Sequence, residues 1–213
     1  MQSKYCIFDL DGTLVRYKDT VRSENFLHNQ YLFPVLRDMM VEYGMDRQTA
    51  EDGILRVTKE VPFWDYTDFI SAFRLPAREA YERMWEWHKN NMEVYPDVVE
   101  MVRRLFDAGK ILFIVSNNPY MGCCMKLRVC GLADEFGSPF FRRILSTDKL
   151  RGCKNEPGVW QRAIDQIPDD PAEIGVIGDN PVEDGEIPRS CGVGETIILQ
   201  REKIQHGIDR IND

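Results

Sequence analysis

Four short runs of this chain, Tyr5–Asp9, Ile111–Val115, Ile174–Ile177 and Thr196–Leu199, are apolar at nearly every position rather than at every second one. A strand with one face in water alternates, whereas strands covered on both faces, as in a parallel sheet, read as continuous apolar runs. Arg143–Ser146 adds a fifth candidate strand. Helical segments lie between the later runs. Pro96 can open one at its first helical position, with Val98, Val99, Val102, Leu105 and Phe106 in one stripe and Gly109 closing it. Another begins near Pro157 and carries Trp160, Ala163, Ile164 and Ile167. Strand–helix–strand alternation after residue 94 predicts an open α/β fold.

Residues 16–92 differ, because no convincing strand occurs there. Leu32, Leu36, Met39, Met40 and Tyr43 fall at helical spacing and end at Gly44; Asp46 can cap a second helix through Arg47–Lys59. Pro76 opens a third, with Ala80, Met84 and Trp87 on one side and Tyr81, Trp85 and His88 on another. The region holds 13 of the 23 aromatic residues, enough apolar bulk for a small core of its own. It reads as a helical insert between the first two strands.

A length of 213 residues allows one large domain or two modest ones. Its net charge of −8 argues against a chain that grips nucleic acid by neutralising phosphates. No apolar run approaches the ~18–20 residues that span a bilayer, and two acids stand too early for a secretory leader. The expectation is a cytoplasmic protein with no membrane or nucleic-acid partner. The six cysteines form no C-x-x-C pair and no zinc spacing with the three histidines, so they read as reduced thiols.

The first strand runs into Phe8-Asp9-Leu10-Asp11-Gly12-Thr13-Leu14. Residues i and i+2 of an extended chain share a side, so Asp9 and Asp11 converge at the strand's carboxyl end, where open α/β sheets bind ligands. Two carboxylates this close repel, so they call for a cation or a shared proton. The second strand ends in Ser116-Asn117-Asn118, a hydroxyl and turn amides suited to a phosphoryl oxygen. Lys154, just before the Pro157 helix, can offer an anion a positive point charge. The fourth strand leads into Gly178-Asp179-Asn180-Pro181-Val182-Glu183-Asp184. Such acid clusters suit Mg²⁺, although Asp184 also has the position of a helix cap.

In order, these segments resemble the haloacid dehalogenase-like (HAD) superfamily. DLDGTL resembles its motif I, SNN its motif II, Lys154 in KNEPGVW its motif III and GDNPVED its motif IV. The run YPDVVEMVRRLFDAGKILFIVSN resembles the family's usual approach to motif II. The likeness covers about 1–15 and 94–200. Asn155 stands where the family usually has proline, and Pro188 where relatives carry small helix formers; that proline can shorten the helix.

The resemblance implies a Rossmann-like parallel five-stranded core, order 5-4-1-2-3, built from 1–15 and 93–213, with 16–92 as a helical cap of the C1 type. It implies a Mg²⁺-dependent phosphatase acting on a small phosphorylated metabolite. Asp9 would be the nucleophile and Asp11 the acid and then the base. Asp9, the Asp11 main-chain carbonyl and Asp179 would hold the metal, with Asp184 close behind or bridging through water, and Ser116, Asn117 and Lys154 the phosphoryl oxygens. The dehalogenase branch lacks an acid equivalent to Asp11, so phosphate-ester chemistry ranks above dehalogenation. A phosphosugar mutase stays open, distinguished by isomerisation without phosphate release. So does a phospho-acceptor signalling domain, although such a domain has no use for the insert. Substrate identity and oligomeric state stay open. Arg16, Lys18 and Arg22 beside the hinge are candidates to meet a second anionic group.

Overall fold

The computed structural model describes residues 2–18, 32–135 and 137–200. Arg22, His28, His206 and the expected cap and core stretches 19–31 and 201–213 lie outside the described residues. The apolar runs form strands β1 (Tyr5–Phe8), β4 (Ile111–Val115), β5 (Phe141–Leu145), β6 (Ile174–Gly178) and β7 (Glu195–Ile198). They make one parallel sheet, ordered β5-β4-β1-β6-β7. From the opposite edge this is the expected order of the five core strands. The labels shift because two short strands, β2 (Val15–Tyr17) and β3 (Met92–Val94), precede the second core strand.

Those two strands correct the expectation of a strand-free 16–92. They pair antiparallel, Val15 with Val94 and Tyr17 with Met92, where the chain leaves and re-enters the core. Three residues are too few to display a period of two, so the ribbon leaves no pattern to read. Arg16 pairs here with Glu93, and Lys18 donates to the Asn90 carbonyl at 2.7 Å. Both cations are thereby engaged within the ribbon.

Between the ribbon strands lie α1 (Phe33–Glu42), α2 (Arg47–Glu60), α3 (Tyr66–Ala72) and α4 (Ala77–Asn91). Asp46 caps α2 as its type predicts, its Oδ1 accepting the Thr49 amide at 2.9 Å. The short α3 was not expected; its start is fixed by the Asp65 amide donating to the Asp68 carboxylate at 2.8 Å. Leu36, Met39, Ile54, Phe69 and Met84 build a core of their own, which Met125 joins from below. Asp65 adds a polar tie, accepting the Met121 amide at 2.8 Å.

The remaining helices are α5 (Pro96–Asp107), α6 (Tyr120–Val129), α7 (Thr147–Leu150), α8 (Pro157–Ile164) and α9 (Ile187–Ser190). Successive residues of β1 feed opposite faces of the sheet. Cys6 and Phe8 pack with Val98, Val102 and Leu127 on one side, Tyr5 and Ile7 with Trp160 and Ile164 on the other. Helix α6 is sheltered nearly all round, with Gly122, Cys123, Met125, Lys126 and Leu127 buried, so it shows no amphipathic stripe. All six cysteines are free. Among the described residues no helix is long and apolar enough to cross a membrane. Pairing of Phe8 with both Ile114 and Ile177 brings three strand ends level, and the next residues of each chain segment build the site.

Candidate active site

Asp9 directly follows β1, and its amide donates to the Ile177 carbonyl at 2.9 Å, pinning it between strand ends. Its carboxylate is buried. Oδ2 accepts from the Thr13 hydroxyl at 3.1 Å, and Oδ1 accepts from the Lys154 ammonium. Lys154 also donates to Asp184 Oδ1 at 2.8 Å and is itself buried, so one cation bridges two carboxylates. The Lys154 amide donates to Asn117 Oδ1 at 2.7 Å, and Asn117 Nδ2 donates to Glu183 at 3.0 Å. Asn117 therefore fixes the loop that delivers the lysine.

Asp184 sits in a single π-helical turn, Pro181–Glu186, the kind of irregularity that often re-aims a functional side chain. Asn180, not Asp184, caps it, its Oδ1 accepting the amides of Val182 and Glu183 at 3.0 and 3.2 Å. Pro188 stands in the first turn of the four-residue α9, in line with a shortened helix. Two glycines make room for acids. A Cβ on Gly12, whose φ is +78°, would lie 2.2 Å from Asp179 Oδ2; one on Gly178 would lie 2.2 Å from Asp184 Oδ2.

Asp9, Asp179 and Asp184 each bring a carboxylate oxygen within 4.8 Å of the others. Burial pushes the Asp9 carboxyl up to about 7; the Lys154 ammonium opposes this and the Asp184 charge adds to it. Burial, then Asp184, likewise raises Asp179. Burial alone would lower Lys154, but Asp9 and Asp184 outweigh it and hold the ammonium well above its ordinary value. Three crowded carboxylates against one ammonium leave excess negative charge. This all-oxygen donor set, with room secured by the two glycines, fits a hard divalent cation such as Mg²⁺.

Asp11 belongs to a second network. Its carboxylate is turned to Lys126 on α6, whose Nζ donates to Oδ1 and Oδ2 at 2.7 Å each. Lys126 is 1% exposed, also donates to Asn118 Oδ1 at 2.6 Å, and lies 5.0 Å from the Tyr17 ring centre. Burial opposes its charge, but Asp11 and Tyr17 together outweigh burial and hold the ammonium above its ordinary value. Asn118 Nδ2 donates to Asp11 at 2.5 Å and to the buried Ser116 hydroxyl at 2.8 Å. Every residue expected at the site is thus at the sheet's carboxyl edge. The Asp11 carboxylate is not in the three-acid cluster, and the repulsion expected between Asp9 and Asp11 is relieved by giving each its own lysine.

The roles of Lys126 and Asn118 were not read from the sequence. Asn118 stands in the SNN segment without a side-chain role there, and the only signal for Lys126 is a charged residue between the apolar Met125 and Leu127, which by itself reads as the wet side of a helix.

A parallel α/β sheet with acids, a buried lysine and a hydroxyl gathered at its carboxyl edge is a Rossmann-like core with its polar site where such sheets bind ligands. The chain belongs to the haloacid dehalogenase-like hydrolases, whose family model matches residues 4–192. It is 26% identical over 184 residues to (S)-2-haloacid dehalogenase 4A of Burkholderia cepacia, covering 82% of this chain and 74% of that one. It is 25% identical over 175 residues to the pyrophosphatase PpaX of Listeria innocua, covering 82% and 73%. Among solved structures, a HAD phosphatase from Thermococcus onnurineus superposes with a TM-score of 0.58 at 22% identity, over 96% of this chain and 90% of that one.

Proposed function

We propose that this hydrolase is a Mg²⁺-dependent phosphomonoesterase that acts on a small phosphorylated metabolite through an aspartyl-phosphate. The carrying observation is the pairing of a buried carboxylate, Asp9, held by Lys154, with a second acid, Asp11, two residues on and separately held. A dehalogenase needs the first and has no leaving-group oxygen for the second to protonate.

In the first step an Asp9 carboxylate oxygen attacks phosphorus and the bond to the ester oxygen breaks. Asp11 gives that oxygen its proton, so a neutral alcohol leaves. In the second step Asp11 takes a proton from water as it attacks phosphorus. The bond from phosphorus to Asp9 breaks, and phosphate and a free carboxylate remain. Ser116, the Asn117 amide and Lys154 bind and orient the phosphoryl oxygens. Asp9, the Asp11 main-chain carbonyl, Asp179 and Asp184 would hold the Mg²⁺, which when bound neutralises phosphoryl charge. A HAD-family enzyme of Bacteroides thetaiotaomicron, known as a complex with magnesium and inorganic phosphate, has the same fold, and this supports the assignment. The helices between β2 and β3 would serve as the cap that excludes water.

The test is phosphate release from a panel of phosphomonoesters, with pyrophosphate and 2-haloacids alongside, in Mg²⁺ and in EDTA. Turnover of esters in Mg²⁺ and its loss in EDTA are expected. Asp9→Asn should abolish turnover, since an amide cannot form the intermediate. Full activity in that variant would overturn the mechanism.

A further inference from the structure

We propose that the substrate's leaving group is an uncharged, ring-bearing alcohol, held in a cavity beside the phosphoryl-binding residues. This rests on the phosphatase reading and names its substrate class. The cavity, of about 580 Å³, lies between α1, α2 and the segment after α2 on one side and Asn117, Thr147 and Cys153 on the other. Asn117 holds the Lys154 amide and Cys153 precedes that lysine, so the cavity abuts the residues that would grip the phosphoryl group. Cavities of ~300–1,000 Å³ take drug-sized ligands, far more than a second phosphate or a two-carbon acid would fill.

The wall is aromatic and fixed. Phe33 and Trp64 have ring centres 5.3 Å apart, and Phe69 backs both at 5.3 and 5.2 Å. Leu55 also lines the cavity and is 50% exposed, an apolar surface left open to a ligand. Charge selects against anions. Among the described residues Arg37 is the only cation in the lining, and it is already bound to Asp38 at 2.8 Å and to Glu51 at 3.5 Å. Glu51, paired with Arg37, and Asp52 line the same space, so among the described residues a second anionic group would meet a net negative lining with no unpaired cation. A planar neutral ring meets apolar surface instead, with the phosphate end anchored at Lys154.

The test compares 2-phenylethyl phosphate with ethyl phosphate, alkyl esters of similar leaving-group basicity, and adds pyrophosphate and phosphoglycolate. The ring ester should have a kcat/KM at least about tenfold above ethyl phosphate, carried mainly by KM, with both competitors, whose leaving groups carry a negative charge of their own, below it. Leu55→Ser, at a half-exposed position of α2, should pull that ratio toward one. If both alkyl esters are hydrolysed equally well, the cavity assignment falls and the phosphatase reading stands. If neither is hydrolysed, the phosphatase reading falls. The cavity is then decided by titrating 2-phenylethylphosphonate against ethylphosphonate with tryptophan fluorescence. Tighter binding of the ring compound upholds the assignment, and equal binding overturns it.

Discussion

Lys126 and Lys154 divide the negative charge of the site between them, and the two would fail differently. Lys154 touches acids that a divalent cation can also neutralise, whereas Lys126 reaches Asp11 from α6, outside the three-acid cluster. Lys126→Met should therefore leave cation binding intact while Asp11 and Asn118 lose their donor. Water can replace part of that loss, because the Asp11 side chain is 33% exposed, so the cost to stability should be about 1–3 kcal/mol. Loss of a well-aimed acid and base should lower kcat by about 10²-fold with a smaller change in KM. Urea melts and steady-state kinetics measure both; an unchanged kcat would remove Lys126 from the positioning of Asp11. Asp9, Lys154 and Asp184 were legible because their types and order make a motif. Lys126 was not, because its meaning comes from a partner 115 residues away.

At the scale of elements, α4 carries a titratable group that its own periodicity hides. His88 is 1% exposed, and its Nδ1–H donates to the Met84 carbonyl at 2.9 Å, a bond that by itself favours the charged ring. Burial, helped by the Lys126 charge, lowers its pKa to about 3, against about 6.5 in an unfolded chain. The unfolded state therefore binds the extra proton first. The stability that His88 contributes is full above about pH 6.5 and is lost as pH falls toward 3, by up to about 1.4 kcal/mol per pH unit. Urea melts should show the wild type losing more stability than His88→Gln between about pH 7 and 5; equal slopes would acquit the imidazole. Helix α4 and its neighbours α1 and α2 were readable because each keeps one wet face. The ribbon of β2 and β3, the seven-residue α3 and the sheltered α6 were not, being too short or too evenly buried to show a period.

Across the whole molecule, the acid cluster works against the fold that displays it. Folding buries Asp9 beside Asp184 and raises it to about 7, so the metal-free native state keeps a proton that an unfolded chain releases near pH 4. That contribution is present below about pH 4 and is lost as pH rises through 7, opposite in sign to His88. The metal-free protein should therefore be held near a shallow optimum by two opposed titrations, one in the helical segment and one at the sheet edge. A divalent cation seated among Asp9, Asp179 and Asp184 would replace the proton and supply charge that does not dissociate as pH rises. Its stabilisation follows RT ln(1 + [cation]/Kd), and Kd must fall as Asp9 ionises. The gain in Tm from Mg²⁺ over EDTA should accordingly be small near about pH 5.5 and grow through about pH 8. Asp9→Asn should flatten that growth, because an amide has no proton to exchange. A gain in wild type that does not vary with pH would show that the cation and the Asp9 proton do not compete for one place.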